Sequence, residues 1–253
     1  MNSHTILTFN DKSINFYDFA GIYKQNIQKR INCYLNDEPK TINWLKNLTN
    51  EDIFYDIGSN IGGFSIMGTI LHPKMKIFSF EANINNYFIQ KRTCMMNNLN
   101  NILVFNLCLN DKLEENNLLY GSSDLYNCGS STFGYKLKDE MKKSLYYNPN
   151  SKSIENTDKM FGIPLDFIIY QMNLPIPSAI KLDIDGNELL VLKGAKKLLK
   201  EEKFRKIIIE VDFNMIESSK EILEILKNNG FNHIQSSKFG KNMEMMEFEK
   251  SCK

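Results

Sequence analysis

The sequence predicts an α/β fold with a mostly parallel sheet. Short apolar runs typical of buried strands alternate with segments of helical spacing, which implies parallel strands joined by right-handed crossovers. A glycine-rich turn, Gly58 to Gly63, directly follows one of these runs. The run from Lys206 to Asp212 has a continuous apolar centre, as a strand buried on both faces should have. We therefore expect a ligand site at the carboxyl ends of the strands.

Composition argues against several classes of protein. The chain has 253 residues, of which 42% are hydrophobic, so it can bury a full core in one large domain, which we place at residues 51–253. With a net charge of +1, the chain lacks the strongly basic character that is typical of nucleic-acid-binding proteins. The five cysteines include no CxxC pair, and no apolar run approaches the roughly 20 residues of a membrane span. We expect a cytoplasmic protein without a membrane span or a nucleic-acid partner.

Residues 1–50 are predicted to form an N-terminal cap. Two short apolar runs, Thr5–Phe9 and Ser13–Tyr17, suit a β-hairpin. Ile22–Tyr34 and Thr41–Leu48 then have helical spacing, with Thr41 at the N-cap position of the second helix. The sequence leaves two interpretations open: the cap only supports the sheet, or it also covers a bound cofactor or shapes the acceptor pocket.

Residues 54–66, F-Y-D-I-G-S-N-I-G-G-F-S-I, read as a strand, a tight turn and a helix. Such a junction brings a ligand close to the free amides of a helix N-terminus, which favour a carboxylate or phosphate. The next strand, Lys76–Phe80, stops at Glu81. In doubly wound folds an acid at this position hydrogen-bonds ribose hydroxyls. The alternative is that Glu81 is a surface acid capping the following helix.

The middle of the chain is predicted in less detail. We expect a helix at Asn85–Asn98, a strand at Leu103–Leu109 and, after an irregular stretch, a helix at Leu165–Met172. Residues 112–162 are read as substrate-facing strands with a mobile flap, or as a solvated insertion without a role. Several tyrosines there suit stacking on sugar rings or ordinary packing: Tyr120, Tyr126, Tyr135, Tyr146 and Tyr147.

The second informative stretch is A-I-K-L-D-I-D-G-N-E, residues 179–188. Alternation along a strand through Ile184 would bury the apolar side chains on one face and gather Lys181, Asp183 and Asp185 on the other. Three charges on one face of a central strand are costly unless they are paired or used. The remaining predicted elements are a helix at Leu189–Leu199, a helix at Ser219–Asn228, and an antiparallel edge pair of Phe231–Gln235 and Met243–Phe248.

The glycine turn does not match a dinucleotide fingerprint. That fingerprint has the form G-x-G-x-x-G, but Asn60 stands at its middle glycine and the last two glycines are adjacent. The frame Asp56-x-Gly58-x-Asn60-x-Gly62 resembles the acidic glycine turn of methyltransferases that use S-adenosylmethionine. Further segments strengthen the resemblance: F-S-F-E-A-N, F-N-L-C-L-N-D, I-K-L-D-I-D-G-N-E-L-L-V-L-K-G-A and I-I-I-E-V-D.

Together these segments, over roughly residues 50–215, resemble the FkbM family of methyltransferases. The resemblance implies a doubly wound, mostly parallel seven-stranded sheet of the Rossmann-like class I type. It implies O-methylation of a sugar or sugar-linked group, on a cell-surface polysaccharide or related small molecule, with S-adenosylmethionine as cofactor. One departure is Ala82, where the family usually has proline.

The resemblance also assigns site residues. Those implied to bind the cofactor are Asp56, Gly58, Ser59, Asn60, Gly62, Glu81 and Asn83, with Glu81 on the ribose and Asn83 beside the adenine. Those matching the charged motif at the mouth of the active site are Lys181, Asp183, Asp185 and Glu188, of which Lys181, Asp183 and Glu188 are the predicted catalytic residues.

Our catalytic hypothesis centres on Asp183. Asp183 acts as general base or orients the acceptor, and partial burial raises the pKa of Asp183 toward the working pH. Lys181 tunes Asp183, and Glu188 assists. Two other interpretations stay open: Lys181 binds an acidic or phosphorylated acceptor, or the Lys181–Asp183 pair only orders the crevice. Asp183, Asp185 and Glu188 can also gather a hard cation, but we predict no metal site. Two alternatives remain: an NAD-dependent oxidoreductase acting on a nucleotide sugar, and a non-catalytic binding module of the same fold.

Overall fold

The structure is a computed structural model that describes residues 5–120, 131–133, 157–239 and 241–251. Over these ranges, none of the helices is long and apolar enough to cross a membrane. The strands are β1 (Thr5–Phe9), β2 (Lys12–Phe16), β3 (Ile53–Ile57), β4 (Lys76–Phe80), β5 (Ile102–Phe105), β6 (Cys108–Leu109), β7 (Glu114–Tyr120), β8 (Ser131–Phe133), β9 (Thr157–Ile163), β10 (Ala179–Leu182), β11 (Lys206–Asp212), β12 (Phe231–Phe239) and β13 (Met243–Lys250). The helices are α1 (Lys24–Asn36), α2 (Pro39–Lys46), α3 (Gly63–Leu71), α4 (Ile84–Met96), α5 (Leu165–Tyr170), α6 (Glu188–Lys193) and α7 (Ile216–Asn228).

A seven-stranded sheet forms the centre of the molecule, in the order β12-β13-β11-β10-β3-β4-β5. The five strands from β11 to β5 run parallel, and β13 pairs antiparallel with both β11 and the edge strand β12. This arrangement confirms the predicted mostly parallel sheet and its antiparallel edge pair. The chain moves outward in opposite directions from β3 and from β10, so the switch point that binds ligands in such sheets lies between these two strands.

Helices cover both faces of the sheet because its central strands are apolar on both sides. Phe54 of β3 packs in one core cluster with residues of α1 to α4. Its neighbours Tyr55 and Ile57 point to the other face and pack with residues of α5, α6 and α7. The sheet is therefore doubly wound.

The cap contains the predicted hairpin and both helices, but the start of α2 differs from the prediction. The helix begins at Pro39, with Glu38 at the N-cap position, because proline fits the first turn of a helix, where no amide donor is needed. Thr41 is therefore not the N-cap: it lies inside α2, and its hydroxyl donates to Glu38 Oε2 at 3.2 Å. Trp44 and Leu45 of α2 are fully buried in the same cluster as Phe54.

The predicted strand Leu103–Leu109 is divided in the structure. It separates into β5 and β6 because Asn106 turns its side chain toward the end of β4, where it donates to the carbonyls of Glu81 and Ala82, both at 2.9 Å. Strand β6 joins a four-stranded sheet of order β6-β9-β7-β8. This sheet supplies ordered strands in part of the predicted irregular region. The flap and the tyrosines at 126, 135, 146 and 147 lie outside the described residues.

Two further elements are shorter than predicted. Helix α6 begins at Glu188, and the predicted continuation to Leu199 is interrupted at Gly194, where a Cβ would stand 2.2 Å from the carbonyl oxygen of Asn110. Strand β10 ends at Leu182, so strand alternation does not extend to Asp185, which has a φ of 58°. Here the chain leaves the sheet in a turn.

Candidate functional site

The glycine turn after β3 lies against the end of β10. Gly58 has a φ of 78°, and a Cβ there would stand 1.8 Å from the carbonyl oxygen of Asp183. Its amide and that of Ser59 donate to the carbonyl of Phe80 at 2.9 and 3.1 Å. Any side chain at position 58 would therefore push β10 away, and the close approach brings Asp183 to the turn.

Glu81 and Asn60 meet on the β4 side of the switch point. Asn60 adopts a left-handed φ of 53°, and its amide donates to Glu81 Oε2 at 2.8 Å. The amide of Asn83 donates to Glu81 Oε1, also at 2.8 Å. Burial raises the pKa of Glu81 to about 7, although these two amides act in the opposite direction.

The structure does not support the alternative of a surface acid at position 81. Glu81 is only 7% exposed. The helix cap is instead Asn83, whose side chain accepts from the amides of Asn85 and Asn86. Asn83 is fully buried, so its contact with the helix is established, and a contact with adenine stays a prediction.

Asp56 lies beneath the glycine turn with no exposed surface. Burial raises its pKa, while Lys181 and a hydrogen bond from Ser65 lower it. The Ser65 hydroxyl is 2.5 Å from Asp56 Oδ2 and also 2.5 Å from the Ser79 hydroxyl. The second carboxylate oxygen, Oδ1, has no hydrogen-bond partner among the described residues. A buried acceptor of this kind is costly unless a ligand satisfies it.

Ser59 and Gly62 complete the turn through contacts with helix α4. The Ser59 hydroxyl donates to Gln90 Oε1 at 2.8 Å. Gly62 has a φ of 88°, and a Cβ there would lie 2.5 Å from the Gln90 side chain. These two residues hold the turn against α4.

Lys181, which is buried, and Asp183, whose side chain is 18% exposed, form an ion pair at the end of β10. Lys181 Nζ lies 2.6 Å from Asp183 Oδ2 and 5.0 Å from the centre of the Phe64 ring. Burial alone would lower the pKa of Lys181, but the carboxylates of Asp183, Asp56 and Glu38 raise it above its usual value. Burial would likewise raise the pKa of Asp183, yet Lys181 holds it below its usual range. The expectation that the pKa of Asp183 rises toward neutrality is therefore wrong.

Glu188 holds the turn that follows β10, and its assisting role in catalysis stays a prediction. Its carboxylate accepts from the amide of Ile184 at 2.9 Å and from that of Gly186 at 3.1 Å, so it holds the turn after β10. Burial raises the pKa of Glu188 to about 7. We therefore regard Glu188 as a residue that positions Asp183.

Three carboxylates at the site lie close enough to share a cation. Oxygen atoms of Asp183, Asp185 and Glu210 all lie within 4.8 Å of one another, whereas the sequence had pointed to Glu188 as the third acid. Glu210 is on the neighbouring strand β11, which sequence spacing could not reveal. Oxygen ligands of this kind suit a hard cation such as Mg²⁺.

The sequence left open whether the cap reaches the site, and it did not identify the cap residues that do so. The Tyr34 hydroxyl of α1 donates to Asn60 Oδ1 at 3.4 Å, and its ring centre is 5.0 Å from that of Phe64. Arg30 lies one turn earlier, with its Cζ 4.9 Å from the centre of the Tyr34 ring. The signal in the sequence is the spacing of four residues, which places Arg30 and Tyr34 on one face of a helix.

The site has two parts, which lie on opposite sides of the switch point between β3 and β10. On one side, the glycine turn and Glu81 present amides and a carboxylate suited to a nucleoside ligand. On the other side, the Lys181–Asp183 pair offers a carboxylate that stays ionised near neutral pH. A ligand bound at the turn would face this carboxylate.

Comparison with known proteins agrees with this arrangement. A family model described as the methyltransferase FkbM domain matches residues 56–232, more than half of the chain. The curated hexuronic acid methyltransferase AglP of Haloferax volcanii is 24% identical over 168 residues, which are 66% of this chain and 59% of that protein.

A solved structure, the methyltransferase FkbM from Methylobacillus flagellatus KT, superposes with a TM-score of 0.51 at 16% identity. The match covers 89% of this chain and 54% of that one, and it shows a shared fold. The chain thus spans a little more than half the length of each of these two proteins.

Proposed function

This chain belongs to the FkbM methyltransferase family, and from that premise we propose that it transfers a methyl group from S-adenosylmethionine to a hydroxyl of a sugar or sugar-linked acceptor. The main observation behind the proposal is that a nucleoside-binding arrangement and an ionised carboxylate lie on opposite sides of the switch point. Glu81 and the glycine turn lie on one side, and the ionised Asp183 lies on the other. The name of the relative AglP, a hexuronic acid methyltransferase, supports a sugar acceptor.

The residues at the turn fit S-adenosylmethionine. Glu81 accepts from the amides of Asn60 and Asn83 and from the Asn86 side chain. A carboxylate has about four acceptor positions, so Glu81 can still accept from a ribose hydroxyl. The unpartnered Oδ1 of Asp56 is an acceptor buried below the same turn. The residues we propose to hold the cofactor are Asp56, Gly58, Ser59, Asn60, Gly62, Glu81 and Asn83.

The proposed mechanism relies on alignment and on one proton acceptor. When bound, S-adenosylmethionine would supply an electrophilic methyl group on a sulfonium, with S-adenosylhomocysteine as the leaving group. Asp183 accepts a hydrogen bond from the acceptor hydroxyl and takes its proton as that oxygen becomes more acidic during the transfer. Lys181 keeps Asp183 ionised and fixed in place. Orientation of the two reactants supplies much of the rate.

Calorimetric titration with S-adenosylmethionine and S-adenosylhomocysteine tests the cofactor. We expect micromolar binding that Glu81→Ala abolishes and that Glu217→Ala, at a side chain 75% exposed on α7, leaves unchanged. Failure to bind either compound, with tight binding of NAD, would overturn the function and leave the fold intact.

A transfer assay tests the acceptor class and the role of Asp183. Radiolabelled methyl transfer from S-adenosylmethionine is measured on uronic-acid and neutral oligosaccharides. Asp183→Asn should reduce turnover by roughly 100-fold or more, because the variant lacks the proton acceptor, with cofactor affinity unchanged. Near-normal turnover of this variant would show that Asp183 does not accept the proton.

A further inference from the structure

Helix α1 lies directly on the glycine turn. Tyr34 is 2% exposed, its hydroxyl donates to Asn60 at 3.4 Å, and a Cβ at Gly63 would stand 2.3 Å from its ring. Residues four positions apart lie on one face of a helix, so Arg30 extends from the same face as Tyr34. The cap thereby places a guanidinium beside the proposed cofactor site.

Arg30 has an unsatisfied donor at this place. Its Nε is buried and has no hydrogen-bond acceptor within the part of the chain that the structure describes. Burial would lower the pKa of Arg30, but Tyr34 and the charges of Asp183 and Glu38 raise it above its usual value. Among the described residues, no carboxylate forms a direct ion pair with Arg30. The Nε donor alone lacks an acceptor, which is unfavourable in a buried position, so a ligand acceptor there would be stabilising.

The positive charge of Arg30 acts on Glu81 and on Asp183, which lie on opposite sides of the switch point. Burial is the largest influence on the pKa of Glu81 and on that of Asp183, and it raises both values. The positive charge of Arg30 is among the influences that lower both pKa values. The guanidinium therefore lies within electrostatic range of the proposed ribose ligand and of the proposed proton acceptor.

The neighbouring charges leave the guanidinium available to a ligand. Lys181 is already paired with Asp183 at 2.6 Å. Glu38, at the N-cap position of α2, accepts from the Thr41 hydroxyl, and its charge acts on Arg30 without a direct ion pair. The planar fork of an arginine matches a carboxylate, with which it forms two parallel hydrogen bonds.

We propose that Arg30 binds a carboxylate of a ligand held at the glycine turn, and that the N-terminal cap is thereby part of the binding site. This inference rests on the proposed function. Two ligands bring such a group: the cofactor, through the carboxylate of its methionine moiety, and an acceptor that contains a uronic acid. Both sources require the same pairing with the guanidinium.

Calorimetry on Arg30→Gln distinguishes the two sources. The cofactor arm compares S-adenosylhomocysteine with 5′-methylthioadenosine, which lacks the amino acid carboxylate. If Arg30 binds the cofactor, the variant loses roughly 10- to 100-fold in affinity for the former and none for the latter. Arg30→Lys should recover part of the loss, because it keeps the charge without the fork. Arg205→Gln, at a side chain 52% exposed, is the matched control.

The acceptor arm uses protein saturated with S-adenosylhomocysteine. If Arg30 binds the acceptor, wild-type protein binds trigalacturonate more tightly than neutral maltotriose, and Arg30→Gln removes the difference while both nucleoside affinities stay unchanged. The proposal is overturned if Arg30→Gln changes neither nucleoside affinity nor any preference for the uronate. Equal losses for S-adenosylhomocysteine and 5′-methylthioadenosine also overturn it, because Arg30 would then only hold α1 in place.

These results separate this inference from the proposed function. If the wild-type protein binds neither nucleoside, both fail together. If it binds S-adenosylhomocysteine and Arg30→Gln binds it equally well with no uronate effect, the function stands and the role of Arg30 fails. The thermal midpoint of each variant shows whether a loss comes from unfolding.

Discussion

Two acids at the site show how the surroundings of a carboxyl group set its chemistry. Glu81 is buried among backbone amides, and burial raises its pKa to about 7. Asp183 is also desolvated, but the ammonium of Lys181 at 2.6 Å holds its pKa below the usual range. At neutral pH, Asp183 is therefore ionised while Glu81 is near the midpoint of its titration.

This difference predicts a pH dependence of cofactor binding. Ribose hydroxyls donate to the ionised form of Glu81, so affinity falls as the pH drops below the pKa of the carboxyl group. With a pKa of about 7, S-adenosylhomocysteine should bind about tenfold more weakly at pH 6 than at pH 8. Calorimetry across this range measures the effect. Glu81→Gln should bind weakly with no such slope, and a flat wild-type profile would contradict the ribose assignment.

The meeting of β3 and β10 is the contact between elements that builds the site. The amide of Asp183 donates to the carbonyl of Ile57 at 3.1 Å, and Gly58 then turns beneath the carbonyl of Asp183. The absence of a side chain at Gly58 allows this spacing. Because the strands on the two sides of the switch point carry the two halves of the proposed site, their separation would set the distance between the proposed cofactor and acceptor.

Gly58→Ala should damage both stability and binding. We expect a loss of about 3 kcal/mol or more in the free energy of unfolding, because the new methyl group overlaps the backbone of Asp183. Gly230→Ala is the matched control: its φ is 83° and nothing lies within 4 Å of the added Cβ, so only the left-handed strain remains. That strain costs about 1 kcal/mol. Urea denaturation measures both variants, and equal losses would show that the contact with Asp183 is unimportant.

At the scale of the whole molecule, the cap and the sheet share one core cluster. Leu7 and Phe16 of the hairpin, Ile27 of α1 and Trp44 of α2 belong to the same cluster as Phe54 of β3. The ring centres of Trp44 and Phe54 are 5.7 Å apart. Removal of the cap would expose this apolar face of the sheet to water.

The shared core predicts that the cap unfolds together with the sheet. Trp44 is the single tryptophan of the chain, so its fluorescence reports the cap, whereas far-ultraviolet circular dichroism reports all helices and strands. The urea midpoints from the two probes should coincide, as expected for one cooperative transition. An earlier fluorescence transition would instead mark the cap as an independently unfolding unit.

The sequence by itself determined the features that depend on local patterns. Strand β3, the glycine turn, the position of Glu81 at the end of β4 and the meeting of Lys181 with Asp183 all follow from periodicity and turn chemistry over a few residues. The doubly wound, mostly parallel seven-stranded sheet was implied by the family resemblance, whereas the strand order comes from the structure. These features cover most of the sheet and both halves of the proposed site.

Only the tertiary structure decided which distant groups meet. It brought Glu210 rather than Glu188 to Asp183 and Asp185, turned Arg30 and Tyr34 of the cap onto the glycine turn, and divided Leu103–Leu109 at Asn106. It also reversed the expected direction of the Asp183 pKa shift, because burial and the approach of Lys181 act against each other. Packing sets the distances and the desolvation on which such effects depend, and these are properties of the folded chain as a whole.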